Sequence, residues 1–134
     1  MDRYTDSEAA DHAPVLVVEG QDSVRRLLTR LLERDGLSAL EFESPARAAH
    51  VRRAPRLLIA DNSLPGQSGY LLADTLRRRF AGLPVLLVAR AGDTVVPTMT
   101  GDGPVALLNK PFFAEQFRDA VRALLSPDVA TAPT

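Results

Sequence analysis

Short apolar runs at 15–18, 57–60, 83–89 and 104–108 divide the chain at near-regular intervals. Such a run, bounded by turn formers, reads as a strand buried on both faces, the form that parallel sheets take. Between the runs the spacing becomes helical. Val24, Leu27, Leu28, Leu31 and Leu32 make one apolar face after Asp22, which suits an N-cap, and Gly36 supplies the stop. A weaker strand at 37–42 follows and suits a sheet edge. Ser44 and Pro45 open a short helix that runs through Arg53, with Pro55 ending it. Tyr70, Leu71, Leu72, Leu76 and Phe80 mark a third helix, closed by Arg77, Arg78 and Arg79, where cations suit the dipole. Phe113, Phe117, Val121 and Leu124 mark the last, closed by Ser126 and Pro127. The stretch 90–103 is the exception. The alternation asks for a helix there, whereas Pro97, three glycines and several Thr and Val residues oppose one, so a short, distorted or mobile segment is expected.

Strand and helix thus alternate five times with short connections and no internal repeat. That order specifies an α/β fold: one doubly wound, five-stranded parallel sheet with helices on both faces, joined by right-handed crossovers. The ordered domain is expected over 14–125, with disordered tails at 1–13 and 126–134.

Composition narrows the function. A chain of 134 residues holds one full core, and a net charge of -1 supplies no global field for nucleic acid or an anionic membrane. The arginine run at 77–79 reads as a solvated helix end, because no aromatic residues interleave with it as a nucleic-acid patch would require. With no Cys, disulfides, thiolate metal sites and thiol nucleophiles are excluded. No apolar run approaches a membrane span, and residues 1–14 lack the features of a signal peptide, so a soluble cytoplasmic protein is expected. Of the 16 basic residues, Lys110 is the sole lysine, a compact flexible charge in a chain that otherwise uses Arg.

Three polar residues fall at the carboxyl ends of different strands: Glu19 after the first, Asp61 after the third and Lys110 after the fifth. In an open parallel sheet those ends converge on one crevice. A carboxylate pair and an ammonium gathered there can hold a divalent cation and a phosphoryl group. Taken singly, Asp61 reads equally well as a turn cap and Lys110 as a chance survivor.

Asp61 with Leu64-Pro65-Gly66 and Gly69, together with Lys110-Pro111-Phe112, resembles the receiver domain of two-component response regulators over roughly 14–125. The resemblance implies a flavodoxin-like sheet of order 2-1-3-4-5. It also implies that Asp61 accepts a phosphoryl group from a histidine kinase or phosphotransfer protein and that Lys110 contacts the phosphate. Mg²⁺ would be held by Glu19, Asp61 and the Ser63 backbone carbonyl, and held weakly. Receivers usually place two acidic residues after the first strand, and this chain has Glu19 and Gly20. Ala89 stands where a Ser or Thr usually bonds the phosphoryl group, and Leu107 where an aromatic switch residue is usual. Arg90 replaces a small residue beside the acceptor, and either reaches over Asp61 or points into solvent.

Two readings follow. One is a single-domain receiver phosphorylated on Asp61 that signals to a downstream protein target through protein contacts, with output through 90–103, the fifth strand and the last helix, and with room for a homodimer. The other is a phosphorylation-independent pseudo-receiver, a binding module favoured by Gly20, Ala89 and Leu107. A flavin or nucleotide binder would need a Gly-rich loop after the first strand, and EGQDS is a poor one. Independent enzymatic activity is not expected, since His12 and His50 pair with no evident nucleophile.

Overall fold

The computed structural model describes residues 13–63, 68–91 and 101–126, and within them the apolar runs pair side by side. Strands β1 (Val15–Val18), β2 (Ala39–Phe42), β3 (Leu57–Asp61), β4 (Val85–Ala89) and β5 (Val105–Asn109) form one parallel sheet. Its order is β2-β1-β3-β4-β5, as the resemblance implied. The described helices are α1 (Asp22–Arg34), α2 (Pro45–Ala48), α3 (Gly69–Arg79) and α4 (Ala114–Leu125). Most of both expected tails, the Leu64-Pro65-Gly66 turn and most of 90–103 with Pro97 lie outside the described residues.

Apolar content sorts the strands. Every apolar residue of β1, β3 and β4 is at most 1% exposed, and these three take the centre. β2 carries Glu41 and leaves Leu40 exposed; β5 leaves Val105 exposed, and the two lie at the edges. Alternation along each strand then separates two cores. Val15, Val17, Leu57, Ile59, Leu86 and Val88 meet α1 and α4, while Leu16, Val18, Leu58, Ala60, Val85 and Leu87 meet α2 and α3.

Several local expectations change. Leu27, Leu71 and Phe113 fit the helical spacing yet are 49%, 44% and 79% exposed. Leu27 and Leu71 lie beside the face that touches the sheet, a distinction too fine for periodicity, and Phe113 precedes the first helical residue. Phe113 serves instead as the N-cap of α4, its N–H donating to Gln116 Oε1 at 2.7 Å. Asp22 is the first helical residue of α1 and Gln21 the cap; the Asp22 carboxylate takes Arg25 Nη2 at 2.6 Å. The second strand begins at Ala39 because Leu37 belongs to the helix stop. Across Gly36, at φ 81°, the Leu37 N–H returns to the Leu32 carbonyl at 3.0 Å. α2 closes at Ala48 rather than Arg53, since its alanines bury little area and Arg79 of α3 takes the Ala49 and Val51 carbonyls. The fifth strand is shifted by one residue, to Val105–Asn109.

Candidate functional site

Parallel strands deliver their carboxyl ends to one rim, and the register sets the heights. Val18 pairs with Ala60, so Glu19 and Asp61 leave their strands side by side. Ala89 pairs with Asn109, which places Lys110 one residue further up the same rim. Backbone bonds fix both approaches. The Asn62 N–H donates to the Val88 carbonyl at 2.8 Å, and the Lys110 N–H donates to the Ala89 carbonyl at 2.7 Å. The Lys110–Pro111 peptide is cis.

The three predicted side chains meet. Lys110 Nζ lies 3.0 Å from Glu19 Oε1 and 3.3 Å from Asp61 Oδ2. Side-chain exposure is 2% for Glu19, 13% for Asp61 and 25% for Lys110, so the cluster opens on the Asp61 and Lys110 side. A carboxylate as deep as Glu19 requires partners. It has them on both oxygens, because Oε2 accepts the Gln21 N–H at 2.9 Å. Asp61 Oδ1 accepts the Ser63 N–H at 2.9 Å. Burial pulls the Lys110 ammonium toward neutrality, but the hydrogen bond and charge of Glu19, followed by those of Asp61, outweigh it. The net result is a Lys110 held above the ordinary lysine range and charged at neutral pH.

The remaining predicted residues sit around this cluster. Ala89 is buried at the end of β4, and Leu107 is partly buried on the α3 side of β5. Arg90 is exposed and, among the described residues, makes no ion pair with Asp61. Its carbonyl accepts the Asn109 side-chain amide at 3.1 Å. Arg90 and Lys110 border a groove of about 490 Å³ whose apolar wall is Val24, Leu27, Pro111 and Phe112. This explains the exposed Leu27, which the helical spacing alone assigns to the core. Arg25 also escaped the sequence reading. Its guanidinium donates to the Glu19 carbonyl at 2.8 Å, to Asp22 and to Glu41, tying α1 to β2 and holding the loop that carries Glu19. The one local signal was its i,i+3 spacing from Asp22.

Mg²⁺ demands octahedral oxygen at about 2.0–2.1 Å. Here the space between the two carboxylates is taken by an ammonium, and no group of three or more acidic or imidazole side chains able to hold a metal exists among the described residues. The residues present do not fit a tightly held divalent cation.

A family model described as the response regulator receiver domain matches residues 15–122. The chain is 36% identical over 127 residues to nodulation protein W of Bradyrhizobium diazoefficiens, covering 91% of this chain and 55% of that protein. It is 32% identical over 122 residues to the KDP operon transcriptional regulatory protein KdpE of Escherichia coli, covering 89% and 54%. The chain therefore spans about half the length of these curated relatives. Among solved structures, the receiver domain of NtrX from Brucella abortus superposes with a TM-score of 0.71 at 27% identity, covering 83% of this chain and 97% of that one.

Proposed function

The chain belongs to the response regulator receiver family, and from that membership we propose that Asp61 accepts a phosphoryl group from a histidine kinase or a phosphotransfer protein. The observation that carries the reading is the Lys110 ammonium 3.3 Å from Asp61 Oδ2 at the open side of the cluster. In the step, a carboxylate oxygen of Asp61 attacks phosphorus and a new P–O bond forms. The P–N bond to the donor imidazole breaks, and its electron pair returns to the ring nitrogen, which takes a proton from solvent. Lys110 neutralises charge on the phosphoryl oxygens, shifting from the bare carboxylate toward the adduct. Receiver domains generally bind Mg²⁺ at the phosphorylation site, but the residues at this rim do not fit that ion, and the neutralisation in this step is assigned to Lys110 alone.

The groove beside the site supports delivery by a protein. Its Leu27 and Phe112 wall offers apolar area, and Arg90 and Lys110 offer cations toward an incoming phosphate. No described helix is long and apolar enough to cross a membrane; we place this receiver in the cytoplasm, with a downstream protein or a second copy of this chain as its further partner.

A second reading, a binding module independent of phosphorylation, draws on Ala89 and Leu107. The end of β4 offers a buried methyl where a hydroxyl would bond the adduct, and β5 offers a branched aliphatic chain with no ring to reorient. Intact-mass measurement after incubation with a small acyl phosphate or phosphoramidate separates the two. The first reading expects a gain of one phosphoryl group that Asp61→Asn abolishes. Absence of an adduct with any donor, small or protein, favours the second.

A further inference from the structure

The cluster at the rim has four carboxylate oxygens, and each already has a donor. Lys110 Nζ takes Glu19 Oε1 and Asp61 Oδ2, the Gln21 N–H takes Glu19 Oε2, and the Ser63 N–H takes Asp61 Oδ1. The Glu19 backbone carbonyl is taken as well, by Arg25 Nη1 at 2.8 Å. A cation shared by Glu19 and Asp61 would have to displace the ammonium that now bridges them. Two carboxylates against one ammonium leave the cluster a single negative charge in excess, a weak lure for a strongly hydrated dication.

Gly20 is the position at which this balance is set. Its φ is not positive, and a Cβ built there would meet nothing nearer than the Glu43 carbonyl oxygen at 3.9 Å. Neither backbone strain nor crowding requires glycine. The residue is exposed and directly follows Glu19, so a carboxylate carried there would add charge and an oxygen donor at the same rim.

We propose that Lys110 is the resident counter-ion of the Glu19–Asp61 pair, that the native site does not load with Mg²⁺, and that the missing side chain at Gly20 is what withholds the metal. The inference concerns the same cluster as the phosphoacceptor reading and rests on that reading for its importance, but its test uses no phosphodonor, so the two fail separately. The chelator-treated full chain would be titrated with Mg²⁺ by calorimetry and with Mn²⁺ by paramagnetic broadening of the Gln21, Asn62 and Ser63 amide signals.

Expected results are no saturable binding by the native chain up to about 10 mM, and saturable binding at least about tenfold tighter in Gly20→Asp. Lys110→Gln, which frees the space between the acids, is expected to gain affinity too. That variant leaves Glu19 short of a partner and can fail to fold, so Gly20→Asp, with circular dichroism as its folding check, is the deciding protein. Saturation of the native chain below about 10 mM with broadening at those amides overturns the proposal. So does a folded Gly20→Asp that binds no better than the native chain.

Discussion

Replacing Gly69 by Ala would place a methyl group where the first turn of α3 passes closest to the end of β3. A Cβ there would stand 2.8 Å from the Asp61 carbonyl oxygen and 3.2 Å from the Ala60 Cβ. One element must therefore yield by about half an ångström to restore ordinary contact. Neither yields freely. Ala60 sits in the central strand between β1 and β4, and α3 is anchored by Leu72, Ala73 and Leu76, all at 0% exposure. Overpacking of this kind costs about 1–3 kcal/mol. Against it stands the better helix propensity of Ala, at most about 1 kcal/mol and less in a first turn, together with a smaller unfolded-state entropy. The φ of Gly69 is not positive, so that gain is fully available and must be subtracted. A net loss of about 1–2 kcal/mol remains, roughly a tenfold fall in the ratio of folded to unfolded protein. Urea unfolding followed by far-ultraviolet circular dichroism measures it, with Gly20→Ala as control because that position is open. The displaced strand end should also move the Asn62 and Ser63 amide signals. If Gly69→Ala proves as stable as Gly20→Ala, the close approach to Asp61 is not what requires glycine in the motif.

Thr29 is buried and, among the described residues, its hydroxyl has no hydrogen-bond partner, so Thr29→Val should raise stability by about 1 kcal/mol in urea unfolding; a loss would count against the missing partner. Arg77 is buried and donates to the Leu83 and Pro104 carbonyls at 3.0 and 2.9 Å. Arg77→Met removes the side-chain donor to Leu83 and one of two donors to Pro104, whose oxygen keeps the Val85 N–H at 3.0 Å, and should cost about 1–3 kcal/mol; a neutral outcome would rule out that anchoring role. The hydrogen bonds from Arg118 hold the Asp35 carboxyl below the ordinary aspartate range. A carboxyl depressed in the folded state binds its proton more readily once unfolded, so its contribution is present above the ordinary aspartate value and is lost as pH falls through the folded one. Asp35→Asn should therefore flatten the acid limb of a plot of urea midpoint against pH, and an unchanged limb would refute the linkage.

The strands were legible because a residue buried on both faces of a sheet must be apolar at every position, and VLVV, LLIA and VLLVA satisfy that without reference to anything distant. The rim was legible for a related reason. Once strands are parallel, whatever follows each of them collects at one edge, so Glu19, Asp61 and Lys110 were placed together by counting elements. Helix faces were less legible. Leu27, Leu71 and Phe113 satisfy the period of a helix yet stand exposed, since periodicity defines a stripe but not how wide a neighbour covers it.

Local pattern thus determined the kind of element, their alternation and which three polar residues gather at the rim, because backbone geometry and burial act over a few neighbouring positions. What the tertiary structure alone decided is who pairs with whom. Arg118 meets Asp35 across 83 positions, Arg25 rather than a helix cap secures the loop after β1, and within the rim Lys110 bridges both acids, at 3.0 Å to Glu19 and 3.3 Å to Asp61. Such contacts depend on the orientation of side chains brought together by packing of the whole sheet. Charge and hydrogen bonding at a few ångströms then select among partners that the order of residues leaves equally available.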